Sequence, residues 1–195
     1  KDIDFKIGNK LGSSKIANSI DMNNSYSYAN NYIDYLRYKS DLAKSELKEI
    51  YPKFVKNKNS KIAQTSDYLL ERELEFGAYG KLEKVPYDNI TGHHMPSNHY
   101  MKEKYYIPTN ESSAFNLEQI SPGMGGRHRR TFTYGLKGRN KDLYLNLMPR
   151  DALAFDINDV RRILKEDGLY NKETRQALLN YIKHCKNTKP GIFKK

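Results

Sequence analysis

Two adjacent histidines are the residues of this sequence whose type and spacing best suit chemistry. His93 and His94 follow Gly92 and precede Pro96. One neutral imidazole can bind a divalent metal, and the other can take a proton from water. Glycine permits a turn or a close backbone approach, and proline disfavours helix. We therefore expect the pair at the end of a strand or in the turn that follows it.

A third histidine lies in the most basic stretch of the chain. His128 follows a turn with three glycines, and Arg127, Arg129 and Arg130 flank it. The 195-residue chain has a net charge of +11, and residues 121–150 hold seven Lys or Arg and one Asp. Guanidinium groups bind phosphate through paired hydrogen bonds. The stretch therefore favours a polyanionic partner, with these three arginines as phosphate-binding residues.

Composition narrows the class of protein. The 16 Tyr and 7 Phe argue against disorder, because they supply area that can be buried. No run of about 18 apolar residues is present, so no transmembrane helix is expected. The single cysteine, Cys185, excludes an internal disulfide and a zinc site with several thiolates. A metal would have to be held by His, Asp, Glu or Asn.

Two extended segments are predicted to place the histidines. Residues 82–90 run into the histidine pair, and residues 114–120 alternate apolar and polar side chains. His128 follows on a short basic helix. A β-hairpin packed on a helix would bring strand-end histidines and a helix histidine around one cation. Water and a substrate phosphate would supply the remaining ligands of that cation.

Helices are predicted before this core. Apolar spacings of three, four and seven predict a helix over residues 27–51, with its tyrosines facing the core and Pro52 ending it. A second helix is predicted over residues 62–76. We expect residues 1–80 to form a helical N-terminal segment, which serves in entry or in packing, and residues 81–195 to form a domain.

Two further helices are predicted after the core. The first begins at Asp156 or Asn158 and ends at Gly168, and Asn171 caps the second. The fold class predicted from the whole pattern is α+β and mostly helical.

The motifs resemble the HNH/endonuclease VII (ββα-metal) superfamily of nucleases. They look most like the GHH-signature nuclease toxins that form C-terminal domains of bacterial polymorphic toxins, of the contact-dependent inhibition or Rhs-like kind. The resemblance covers roughly residues 85–185, and its matching stretches are 92–97, 116–119, 121–123, 125–129, 131–135, 149–153 and 159–161. It implies a small β-hairpin and helix as the nuclease core, flanked by N- and C-terminal helices.

The resemblance implies a role for each matching histidine. His93 lies where the first metal ligand falls, His94 where the general base falls, and His128 where the helix ligand falls. The roles of His93 and His94 could be exchanged, because spacing alone does not assign them.

Three other residues are candidates for the site. Asn116 corresponds to the middle asparagine, which orients the base or braces the hairpin. Glu118 competes with it as a metal ligand or brace, and His99 is a further candidate ligand. The cofactor implied is a divalent metal: Mg²⁺, Mn²⁺ or Zn²⁺.

The function expected from the resemblance is a metal-dependent endonuclease that cleaves DNA and serves as a toxin in interbacterial competition. It would be secreted within a larger toxin, act in the target cell's cytoplasm and be monomeric when free. An immunity protein would neutralise it, and would be acidic because it must cover a basic site.

Two alternatives stay open. One is a metal-independent ribonuclease toxin that uses the same histidines as acid and base, with the RNA 2′-hydroxyl as nucleophile. The other is a nucleic-acid-binding module without catalysis, in which a metal held by the histidines is structural.

Overall fold

The structure is a computed structural model that describes residues 22–59 and 65–193. Helices predominate, and a three-stranded sheet accompanies them, which confirms the α+β, mostly helical class. The strands are β1 (Phe76–Ala78), β2 (Ile90–His94) and β3 (Ser113–Glu118). The helices are α1 (Met22–Asn59), α2 (Asn98–Tyr105), α3 (Arg127–Arg130), α4 (Gly138–Leu145), α5 (Pro149–Glu166), α6 (Lys172–Thr188) and α7 (Pro190–Phe193). No helix in these described ranges has both the length and the apolar character to cross a membrane.

The sheet is antiparallel, with β3 between β1 and β2. β2 and β3 pair in the register Gly92–Asn116, His93–Phe115 and His94–Ala114. The connection between them contains α2, so they do not form a tight hairpin. The strand predicted over residues 114–120 is confirmed in outline. The strand or extended chain predicted over residues 82–90 forms a strand only at Ile90, because the positive φ angles of Tyr87 and Asn89 interrupt extended chain before it.

The C-terminal helices supply much of the core. α5 buries Leu153, Val160 and Leu164 on one face. It begins at Pro149, well before the predicted starts at Asp156 and Asn158, because the fixed φ of proline suits a first helical position. The predicted end of this helix at Gly168 is confirmed, since Gly168 has a φ of +71° just beyond the last helical residue. The predicted cap of α6 is also found: the Asn171 side chain accepts from the Thr174 backbone in a capping box.

α1 continues through Pro52 to Asn59, so the predicted end at Pro52 is wrong. The residues after the proline pack on the core. The ring centroids of Phe54 and Phe132 lie 4.6 Å apart, and Val55 is buried. This packing offsets the backbone hydrogen bond that a proline removes from a helix interior.

The described chain divides into two compact units within α1, between Tyr38 and Lys39. In the first unit Tyr32 and Tyr35, predicted to face the core, are both 54% exposed. In the second unit, Leu47 belongs to the hydrophobic core that also includes the sheet. The second half of α1 therefore belongs to the same compact unit as the elements after residue 80, because it packs with them.

The helix predicted over residues 62–76 is absent from its described part, residues 65–76; the rest lies outside the described residues. Arg72 and Leu74 have positive φ angles. The backbone N–H of Leu74 donates to the Asn116 carbonyl at 2.9 Å, and the Asn116 N–H donates to the Glu75 carbonyl at 2.8 Å. Pairing with β3 therefore takes the place of a helical hydrogen-bond pattern.

Candidate active site

Four of the chain's five histidines line one open pocket, called here the histidine pocket. His93 and His94 come from the end of β2, His99 from α2 and His128 from α3. The turn over residues 133–136 and α4 supply another part of the lining. The cavity holds about 260 Å³. Among the described residues that line it, none is Asp or Glu.

Packing and hydrogen bonds fix the end of β2. A Cβ on Gly92 would lie 2.8 Å from the Tyr79 ring, so this strand position requires glycine. Beyond the histidine pair, the Ser97 backbone N–H donates to the Tyr144 hydroxyl at 3.0 Å. That hydroxyl donates in turn to the buried Asp156 carboxyl at 2.5 Å. The turn that follows the histidines is therefore bound to both α4 and α5.

His128 has a fixed tautomer. Its Nδ1 contacts Oε1 of Gln119, which can only accept, so Nδ1 carries the proton and Nε2 keeps its lone pair. The ring of Tyr134 packs edge-on at 5.1 Å between centroids. Burial, with a smaller contribution from Lys58, lowers the pKa of His128 to about 3. The ring is therefore neutral, which is the form that binds a metal.

His93 lies beside His128. The centroids of the two rings are 5.1 Å apart, with an angle of 64° between the planes. Burial and the neighbouring His128 lower the pKa of His93 well below its usual value. Because metal–nitrogen bonds are about 2.1 Å long, this separation is compatible with both rings binding one ion.

His94 is oriented by a backbone carbonyl. Its Nε2 lies 3.3 Å from the Thr109 oxygen, which can only accept, so Nδ1 is the unprotonated nitrogen. The ring packs against that of Tyr79 with 4.8 Å between the centroids and a tilt of 33° between the planes. Burial lowers the pKa of His94, so the ring is unprotonated at neutral pH, which is the form that a general base requires. The contacts thus favour His94 as base and His93 as ligand over the exchanged roles.

The start of α2 adds two residues to the pocket. His99 is 46% exposed in its side chain and lies 4.0 Å from Glu103. Asn98 also lines the pocket, and its Oδ1 is buried with no hydrogen-bond partner among the described residues. A buried acceptor left unpaired is costly, so Asn98 suits a donor from a bound molecule or water. Sequence reasoning missed Asn98, although it lies close to the histidine pair.

Glu118 and Asn116 are not among the residues that line the histidine pocket. Glu118 accepts from Ser66 N at 2.9 Å, pairs with Arg127 at 3.0 Å and has no exposed side-chain surface. The structure therefore corrects its prediction as a metal ligand. Asn116 donates from Nδ2 to the Arg72 carbonyl at 3.2 Å. That contact suits the bracing role expected as an alternative, not a contact with His94.

Arg127, predicted to bind phosphate, is fully buried. It pairs with Glu73 at 3.1 Å, Glu118 at 3.0 Å and Asp167 at 3.0 Å. It also donates to the backbone carbonyls of two residues before β1. A guanidinium with no exposed surface cannot reach a phosphate, so this prediction is wrong. The set of Arg127, Arg130, Glu73, Glu118 and Asp167 is called here the arginine cluster.

The other two predicted arginines also have partners within the protein. Arg130 pairs with Asp167 and, at 2.7 Å, with Glu166. Arg129 donates from Nη1 to the carbonyls of Ile120 and Gly125, both at 2.6 Å. Arg129 therefore closes the glycine-rich turn, and neither side chain lines the histidine pocket.

The sequence did not indicate two lysines of this region: Lys58, which lies close to the histidine pocket, and Lys141, which lines it. Lys58 donates to the carbonyls of Thr131 and, at 2.7 Å, of Tyr134, which holds the turn beside His128. Burial lowers the pKa of Lys58 to about 8. Lys141 lines the α4 wall. The Lys58 contacts span 73 and 76 residues of sequence, so no local motif reveals them.

The residues present fit a divalent metal with two protein ligands. Across residues 22–59 and 65–193, no group of three or more His, Cys, Asp or Glu is placed to hold a metal. His93 and His128 adjoin, and Gln119 orients His128 as outer partners orient metal-binding histidines. Water and phosphate oxygens would have to supply the other ligands, which Mg²⁺, Mn²⁺ and Zn²⁺ accept at catalytic sites.

Comparison with protein-family models, with curated proteins and with solved structures finds no match for this chain.

Proposed function

We propose that this chain is a metal-dependent endonuclease that hydrolyses phosphodiester bonds of DNA. The observation that carries the proposal is that the adjacent His93 and His94 converge on one open pocket with His128, which is distant from them in sequence. Two of them have tautomers set by contact with an oxygen atom that accepts a hydrogen bond, the Thr109 carbonyl for His94 and Oε1 of Gln119 for His128. The pocket lining contains no carboxylate among the described residues, which suits an anionic substrate.

Each histidine has a chemical task in this proposal. His94, with Nδ1 unprotonated, takes a proton from the attacking water. His93 and His128 would hold the cation, and Gln119 keeps the His128 lone pair available on Nε2. A divalent metal, when bound, would stabilise the negative charge that develops on the phosphate oxygens.

The toxin role is proposed from the resemblance together with the charge. A net charge of +11 suits binding to nucleic acid. The chain would be delivered within a larger secreted toxin and would act in the cytoplasm of a target bacterium. An acidic immunity protein would cover the pocket, because complementary charge speeds and directs such binding. We expect the free chain to be monomeric.

The runner-up is a metal-independent ribonuclease. The adjoining rings of His93 and His128 favour it, since an acid and a base must both reach one phosphate. An acid catalyst has to be protonated, however, and burial holds both rings neutral near pH 7. The metal-dependent function is therefore preferred.

The test is incubation of the purified chain with supercoiled plasmid and with total RNA, in Mg²⁺, Mn²⁺, Zn²⁺ or EDTA. We expect plasmid cleavage that needs metal and that falls by about 10²–10⁴-fold in His94→Ala, the usual contribution of a general base. His184→Ala is the matched control, because His184 packs on Phe76 and does not line the histidine pocket. RNA loss that persists in EDTA would instead favour the ribonuclease.

A further inference from the structure

We propose that Lys141 is the phosphate-binding cation of the histidine pocket. The inference rests on the proposed function for the identity of the substrate, a nucleic-acid phosphate, but not for the presence of an anion site. It reassigns to α4 the role that the sequence suggested for the arginines of α3.

The three arginines of α3 are not available to bind a phosphate in the pocket. Arg127 and Arg130 are held by carboxylates in the arginine cluster, and Arg129 is held by two backbone carbonyls. Lys58 lies close to the pocket, but its ammonium donates to the carbonyls of Thr131 and Tyr134. None of these four cations belongs to the pocket lining.

Lys141 differs from all of them. Within the part of the chain that the structure describes, it is the one Lys or Arg that lines the histidine pocket. It is partly buried, and no carboxylate of the described residues lies within 4 Å of its ammonium. Arg139 on the same helix, by contrast, pairs with Glu46 at 2.5 Å. A partly buried cation without a partner, among neutral rings, favours an anion.

The helix geometry directs Lys141 into the pocket. Residues three and four apart share one face of a helix, and Lys141, Tyr144 and Leu145 all line the cavity. Tyr144 is fixed by its bonds to Ser97 and Asp156, so the face of α4 that carries Lys141 is anchored. An ammonium offers three donors to phosphate oxygens, and Lys141 would hold a phosphate inside the cavity that the histidines line.

The experiment compares Lys141→Gln with Lys137→Gln. Both remove one positive charge and keep a polar side chain, but Lys137 is exposed and does not line the pocket. The probe is inorganic phosphate, titrated in EDTA and followed through the histidine Cε1–H signals by NMR. A labelled DNA duplex, also in EDTA, is followed by fluorescence anisotropy.

Phosphate should shift histidine signals of the wild-type chain. Lys141→Gln should weaken phosphate affinity by about 10- to 100-fold, as expected for the loss of one hydrogen bond between charged groups. Lys137→Gln should change it by less than about twofold, because exposed charges are largely screened. Equal affinities in the two variants, or no phosphate binding by the wild type, would overturn the inference. If phosphate binding depends on Lys141 while plasmid stays intact in every metal, the anion site stands and the nuclease proposal fails.

Discussion

Arg127 and His128 are neighbours in α3, yet the side chain of Arg127 lies among carboxylates and that of His128 lines a pocket without them. Arg127 has no exposed surface and meets three carboxylates in the arginine cluster. His128 reaches a pocket whose described lining has no carboxylate. One turn of basic helix therefore supplies both an internal ion-pair centre and a candidate metal ligand.

The difference shows how the fold distributes charge. Burying Glu73, Glu118 and Asp167 is costly unless a cation accompanies them, and Arg127 meets all three. This arrangement keeps those carboxylates out of the histidine pocket, where they would repel a phosphate. The arginine cluster thus serves stability directly, and it serves the site by leaving the pocket positive.

The largest expected effect on stability is at Arg127, in the arginine cluster. Arg127→Met should lower the free energy of unfolding by about 3–5 kcal/mol, because it leaves buried carboxylates without their partner. Urea unfolding followed by circular dichroism measures it. His128→Ala, one residue away, should cost only about 1 kcal/mol, the typical worth of its hydrogen bond to Gln119.

The two losses should differ in kind as well as size. His128→Ala should fold and lose nuclease activity, whereas the Arg127 variant should lose activity only in proportion to the unfolded fraction. A stable Arg127→Met chain with weakened DNA binding would mean that this arginine serves phosphate after all.

An intermediate effect, on metal affinity, is expected at Gln119, which contacts His128. Gln119→Leu removes the acceptor for His128 Nδ1, so the ring can take the other tautomer and lose its free Nε2 lone pair. We expect metal affinity to fall by about 10- to 100-fold, as for other partners of metal-binding histidines. Zn²⁺ titration calorimetry measures the affinity.

A matched variant separates this role from packing. Gln119→Glu keeps an oxygen acceptor at the same place, so it should retain the Nδ1–H tautomer in the ¹⁵N NMR spectrum of His128 and most of the metal affinity. If Leu and Glu at this position gave the same tautomer, Gln119 would not position the ring.

Local signals predicted the parts of the fold that local chemistry determines. Asn171 and Gly168 mark helix ends because their side chain or backbone freedom acts on adjacent residues. The histidine pair lies at the end of β2 as its glycine and proline neighbours indicated. The mutual approach of His93 and His128 was expected from a motif resemblance, and their ring contact agrees with that expectation.

Long-range partners explain what the sequence could not predict. The burial of Arg127 depends in part on its ion pair with Glu73, 54 residues away. Glu73 lies in a segment whose apolar spacing suggested a helix. α1 passes through Pro52 because residues beyond it meet Phe132. An arginine-rich motif next to a histidine therefore indicates a basic stretch, but the positions of distant carboxylates decide which cations remain for a ligand.

The smallest expected effect on stability and on DNA binding is at Arg129, which belongs neither to the arginine cluster nor to the lining of the histidine pocket. Its guanidinium donates to the Ile120 and Gly125 carbonyls, and water can replace it there because the side chain is only partly buried. Arg129→Ala should therefore cost about 1 kcal/mol of unfolding free energy. DNA binding in EDTA, measured over a range of salt, should keep its slope of log affinity against log salt. In Lys141→Gln the slope should fall by about one, since one phosphate contact is lost. A drop of about one in Arg129→Ala would show instead that this arginine leaves the turn to bind DNA, and the phosphate contact would then belong partly to α3.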